Sequence, residues 1–328
     1  NPKLWVGSTS PNVITGVGFQ PDLLWIKDRD STAYHVLSDA VRGTDSQIYS
    51  NSTSAEGVLT TVVTSFDSGG FTISGDYPND GNDYVTWCWK AGTTTGIAGS
   101  PSITPSGYSF NATSGFSIIA YVGIDTAGAT IPHGLGVAPN MVIIKDVDNS
   151  NDWAVYHSAL GGTKYLLLNT TGAVGTATSV WNDTDTTSTL VTLGTTSKVN
   201  YDPRNYIAYC FANIQGYSKF GSYLGNGSAD GAFVYTGFRP AFVIIKTVGA
   251  DGWIMADSKR VGYNPENDFL APNNSGADQD VTNLDLYSNG FKLMTTNSAW
   301  NPDGVENIYM AFAEAPLVNS EGVPVNAR

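Results

Sequence analysis

Three unbroken apolar runs, Leu23 to Ile26, Met141 to Ile144 and Phe242 to Ile245, punctuate the chain. Each is preceded by a proline and closed by a lysine, in "GFQPDLLWIK" (18–27), "GVAPNMVIIK" (136–145) and "GFRPAFVIIK" (237–246). Runs of this length, rich in β-branched residues, predict strands covered on both faces. The proline has no amide hydrogen and fits the first position of a strand, where no ladder bond is lost. Burying a large side chain contributes roughly 1.5–3 kcal/mol, and ordering each residue's backbone costs roughly 1–2 kcal/mol. Exposing one face would nearly cancel the gain, so a neighbouring repeat or a second copy of the chain is expected to cover it.

"GFTIS" (70–74) and "GFKLM" (290–294) alternate instead, with Phe71 and Ile73, then Phe291 and Leu293, on one side, as half-exposed antiparallel strands do. The closing segments "DYVTWCWKA", "NYIAYCFAN" and "NIYMAFAEA" are apolar on both faces. Helical signals reduce to a turn or two after Ser38, Ser158 or Ser258.

Setting Pro21, Pro139 and Pro240 in register gives offsets of 139 − 21 = 118 and 240 − 139 = 101, so each unit spans about a hundred residues. The fold class expected is all-β: three tandem homologous antiparallel β-sandwich-like modules at 1–95, 107–215 and 216–317, with a linker at 96–106 and a tail at 318–328. The linker region, rich in Gly, Ser, Thr and Pro, should give the first module more freedom, and the short second junction should hold the other two in direct contact. Triplication argues for architecture or multivalent binding before chemistry.

Composition agrees with a turn-rich β protein: 36 Gly, and a charged fraction of 14% against the usual quarter. A formal charge of −13 disfavours nucleic acid and anionic membranes as partners. No apolar run approaches the roughly 20 residues of a membrane-spanning helix, so the chain reads as soluble and not inserted in a membrane.

The series "GFQPDLLWIK", "TSFDSGGFTIS", "YVTWCWKAG", "YSKFGSYLGNGSADGAFVYTGFRPAFVIIK" and "AFAEAPLVNSEGVPVNAR" resembles a repeat family of bacteriophage virion proteins, like the tail fibres or capsid fibres of marine phages. The resemblance covers nearly the whole chain and departs in the tail, where "LVNSEGVP" precedes "NAR". It implies a noncatalytic protein at the virion surface, with other virion proteins and a host-surface glycan as partners. The order of anchor proline, apolar strand, "GF" strand and aromatic closing strand is also similar to H-type lectin sandwiches. That likeness implies trimeric assembly, a homo-oligomer or its imitation by three units in one chain. A secreted lectin-like protein and a glycan depolymerase are the alternatives. A depolymerase site should break the repeat in one module, and the middle stretch from Thr176 to Asn200 holds Asp183 and Asp185.

No residue pattern suggests a cofactor, a metal site or a catalytic group. Cys88 and Cys210 fall at equivalent places in two closing strands and read as free buried thiols. His35, His133 and His157 read as solvent-facing or hydrogen-bonded loop residues. Asp39, His157 and Asp257 correspond between modules and should tie down a local turn. Lys27, Lys145 and Lys246 should lay their stems along the core edge with the ammonium in water or on a carboxylate. Acidic loops such as "DVDNSND" (146–152) read as Asx turns. Candidate ligand-binding residues are the loop aromatics Tyr77, Trp181, Tyr263 and Trp300, because such rings stack on sugars.

Overall fold

The computed structural model describes residues 1–8, 11–58, 62–74, 81–260, 264 and 266–316. The described residues form antiparallel sheets joined by turns and loops, with one short helix, Thr178–Trp181, in the middle module. The three modules share one core-sheet plan, each built in a sheet of its own. In module 1 its order is first strand Pro2–Val6, closing strand Asp83–Trp89, anchor strand Leu23–Asp28, then Val36–Asp39, Ser46–Tyr49 and Gly57–Val58. Module 2 repeats the order with Phe116–Val122, Asn205–Phe211, Met141–Asp146, Ala154–His157, Lys164–Leu167 and Gly175–Thr176, and adds the edge strand Gly107–Asn111. Module 3 repeats it with Ser218–Leu224, Glu306–Ala313, Pro240–Thr247, Trp253–Asp257 and Glu266–Leu270. It then continues through Gln279–Tyr287, Gly290–Leu293 and Phe233–Tyr235.

Because side chains alternate across a strand, each doubly apolar strand feeds two cores. Leu24, Ile26 and Cys88 enter a core private to module 1, whereas Leu23, Trp25, Trp87 and Trp89 enter one central core built from all three modules. The second face of every anchor strand is therefore covered by neighbouring modules of the same chain. On the central line, the equivalent residues Trp89, Phe211 and Phe312 form a closed triangle. Their ring centroids are 6.0, 5.8 and 6.2 Å apart and their planes cross at 68°, 69° and 69°. This is internal pseudo-threefold symmetry.

Backbone hydrogen bonds close the same ring. The amides of Glu56, Val174 and Asp278 donate to the carbonyls of Val147, Val248 and Arg29, at 2.8, 2.9 and 2.8 Å, each from one module to the next and finally back to the first. The expected freedom of module 1 is thus overturned, since it contacts both neighbours. A linker's length sets only the reach of a module, and the buried faces decide where it rests.

The repeated polar residues do more than hold turns. Asp39 Oδ1 accepts from the amides of Val41 and Arg42, and its Oδ2 accepts from Tyr209 of module 2 at 2.8 Å. Asp257 accepts from the Lys259 and Arg260 amides and, at 3.1 Å, from Trp87 Nε1 of module 1. At the third interface the closing strand offers Met310, which has no donor. There His157 Nε2 instead meets the Tyr309 carbonyl, at 3.2 Å. Arg42 pairs with Asp39 and Glu56, and Arg260 with Asp257 and Asp278, while the corresponding residues of module 2 are Leu160 and Val174. Burial opposes the charges on Arg42 and Arg260, but the adjoining carboxylates outweigh it and hold both guanidinium pKa values above their usual range.

Two further expectations need correction. The three lysines are fully buried. Lys27 Nζ donates to the carbonyls of Asp28 and Ser31, Lys145 Nζ to those of Asp146 and Asn149, and Lys246 Nζ to those of Thr247 and Gly249. Each ammonium thus staples the loop after its anchor strand instead of reaching water, and burial pulls each pKa down to about 8. The three histidines are hydrogen-bonded, one of the two expected states, but buried and not solvent-facing. His35 occupies the place of Trp153 and Trp253, whose indole N–H groups cross to the Tyr49 and Leu167 carbonyls of the preceding module. Cys88 and Cys210 are free and buried, and Asp146 caps the amides of Asp148 and Asn149 in an Asx turn.

Candidate functional site

Of the four aromatics expected to bind ligand, Tyr77 and Tyr263 lie outside the described residues. The other two are core: Trp181 is 1% and Trp300 2% exposed. Trp181 closes the helix of module 2 against Tyr156, and Trp300 packs edge-on against Phe269. Each is covered by its own module's outer layer and offers no surface to a ligand. Asp183 and Asp185 are likewise occupied. Asp183 accepts from Thr178 Oγ1, and Asp185 accepts from the Gly162 amide and the Tyr156 hydroxyl.

Exposed aromatics lie elsewhere: Tyr34 beside Tyr49 in module 1, Tyr201 beneath Arg204 in module 2, and a group of three on the outer strands of module 3. Strand Gly290–Leu293 sits between Phe233–Tyr235 and Gln279–Tyr287, in a register that places Phe233, Lys292 and Asp285 in one row and Tyr235, Gly290 and Tyr287 in the next. Residues directly opposite share a face, so both rows point away from the core, while Val234, Phe291 and Leu286 between them point inward and are buried. Phe233, Tyr235 and Tyr287 are 48%, 65% and 39% exposed. The Phe233 and Tyr287 rings stand 6.1 Å apart at 70°, forming the two walls of an open angle.

Local chemistry shapes this platform. Tyr287 and Gly290 flank a two-residue hairpin turn, Ser288 and Asn289. The Asn289 carbonyl accepts the amides of Thr236 and Gly237, which ties the third strand to the hairpin. A Cβ on Gly290 would lie 2.1 Å from the Val234 carbonyl oxygen and 2.9 Å from the Phe233 ring, so only glycine lets that ring settle beside the strand. Lys292 pairs with Asp230 at the rim. That hydrogen bond lowers the carboxyl pKa and raises that of the ammonium, so both are charged at neutral pH. Tyr287 Oη donates to Asp285 Oδ2 at 3.1 Å, and Asp285 Oδ1 is shielded from solvent without a hydrogen-bond partner. With Phe233, Tyr287, Asn289 and Lys292, the rim encloses a shallow basin of about 560 Å³.

The platform breaks the repeat. The corresponding outward positions in module 1 are Val13 and Thr15 beside Thr72, Ser65 and Asp67, and in module 2 Thr130 and Thr192 face outward. A second depression, about 380 Å³, lies between modules 3 and 1 and is lined by Pro2, Phe19, Trp89, Tyr217, Phe242 and Phe312. It marks the one interface that no connecting chain crosses. Between modules 1 and 2, Phe116 at the end of the connection packs on Trp89 and Phe211. The walls of this depression are the same rings that hold the modules together, so the platform is the stronger candidate site.

Sequence reading missed the platform, although the alternation in "AFVYTG" carries its signal. Counting back from the anchor proline sets Phe233 beside Ile14, a core residue. The strand register sets it beside Val13, because module 1 has one more residue between strand and anchor. A slip of one residue exchanges the two faces.

Among known proteins, a family model described as a domain of unknown function, DUF7483, matches residues 1–316. Neither a curated protein nor a solved structure matches the chain.

Proposed function

The chain belongs to the DUF7483 family, and we propose that it is a noncatalytic structural module of a phage virion appendage, displayed at the virion surface, that contacts a host-surface glycan through the platform of module 3. The observation that carries the reading is the pairing of a closed three-module ring with a group of three exposed aromatics on the outer strands of module 3. A rigid ring suits a load-bearing part, and one altered face on an otherwise repeated scaffold suits recognition. The resemblance of the repeat motifs to phage fibre proteins supplies the setting.

The test is a glycan array probed with the purified chain and with Tyr287→Ala. Binding that the substitution abolishes supports recognition at the platform. New reducing ends appearing on incubation with host polysaccharide would defeat the noncatalytic part of the reading.

A further inference from the structure

Resting on that reading of the platform, we infer that its ligand is a neutral pyranoside, held by its apolar C–H face against Tyr287 and Phe233 and by its hydroxyl groups on an acceptor-rich rim. Four observations converge on this class.

The available area is small. Aromatic side chains carry about 150–250 Å² each, so three rings at 48%, 65% and 39% exposure present about 300 Å². That is well short of the roughly 800 Å² per partner that a stable protein interface buries. One or two sugar rings fit it.

Ring geometry is the second. The 70° angle between Phe233 and Tyr287 gives one wall for stacking and a second for edge contact. A chair-shaped ring has C–H groups on its face and its edge and can use both walls.

Hydrogen-bonding capacity is the third. The Tyr287 proton is already committed to Asp285, so its oxygen faces the ligand as an acceptor. Asp230, at the exposed rim, keeps one carboxylate oxygen beyond its pairing with Lys292. Acceptors of this kind call for donors, and the hydroxyls of a sugar supply them.

Charge is the fourth. Two carboxylates against one ammonium at the rim, on a chain of formal charge −13, repel uronate, sialate, sulfate and phosphate groups. Neutral glycans meet no such cost.

The experiment is a titration of the purified full chain with neutral gluco-, galacto- and manno-oligosaccharides and with uronate oligomers of the same length, followed by calorimetry and tyrosine fluorescence. Parallel titrations use Tyr287→Ala and, on the opposite wall, Phe233→Ala, each checked for an unchanged thermal midpoint. The expected result is binding of at least one neutral series, weakened about tenfold or more by either substitution, with the uronates tenfold weaker or silent. Binding of uronates alone, lost in Tyr287→Ala, would overturn the inferred class and leave glycan recognition at the platform standing. Neutral binding untouched by both substitutions would overturn the site. Silence of every series would overturn both the class and the glycan-recognition reading beneath it.

Discussion

Replacing Trp89 by alanine should loosen the whole molecule, not one module. The indole is 4% exposed in the shared core and has four aromatic neighbours, Phe116, Phe211, Phe242 and Phe312, with centroids 5.6–6.4 Å away; all four belong to the other two modules. Removing about 200 Å² of buried apolar surface at about 25 cal/mol/Å² comes to roughly 5 kcal/mol, at the upper end of the 3–5 kcal/mol range typical of large aromatic truncations. Relaxation of the surrounding rings into the space should bring the observed loss to about 4 kcal/mol. The assay is urea unfolding followed by far-ultraviolet circular dichroism and by tryptophan fluorescence. Because one core spans the modules, both probes should report a single transition in the parent chain. With a slope of about 3 kcal/mol/M, the midpoint in Trp89→Ala should fall by more than about 1 M. Trp89→Ala combined with Phe312→Ala should be non-additive by about 0.5 kcal/mol or more, as residues in contact are. Two separated transitions in the parent chain, or additivity of the two substitutions, would refute a shared core as the source of stability.

Acid should weaken the fold through its histidines. Burial, only partly offset by the Tyr309 carbonyl, lowers the His157 pKa to about 4, against about 6.5 in the unfolded chain. Between those values the unfolded state binds more protons, so stability falls as pH drops through that window. The contribution is on the order of 3 kcal/mol, and His157→Gln should flatten that part of a stability-against-pH curve. Lys246→Met should cost about 1–3 kcal/mol in thermal or urea unfolding, because the Thr247 and Gly249 carbonyls lose their buried donor. Leu160→Arg should cost about 3 kcal/mol or more by the same measurement, since module 2 has no carboxylate at position 157 or 174 to receive the charge that Asp39 and Glu56 receive in module 1. Gly290→Ala should disturb the Phe233 ring and weaken any platform ligand, which a heteronuclear NMR spectrum of the variant would show as shifts confined to the outer sheet of module 3.

The sequence by itself determined the repeat, the all-β class and the two-sided burial of the anchor and closing strands, because these follow from periodicity along the chain. It also marked the three lysines and the Asp39, His157 and Asp257 positions as equivalent. What those groups touch was decided only by the tertiary structure. Tyr209 reaching Asp39, Trp87 reaching Asp257 and the Trp89, Phe211 and Phe312 triangle join residues of different modules, and no local pattern records which module stands beside which. The candidate site shows the same division. The aromatic residues of "AFVYTG" are legible, but which of them face water depends on a one-residue difference in loop length, and a strand carries its side chains to opposite faces at every step. Trp181 and Trp300 failed as surface residues for a related reason. Their segments lie between strands, as loops do, yet the outer layer of each module folds over them, and burial is a property of what arrives from elsewhere in the chain.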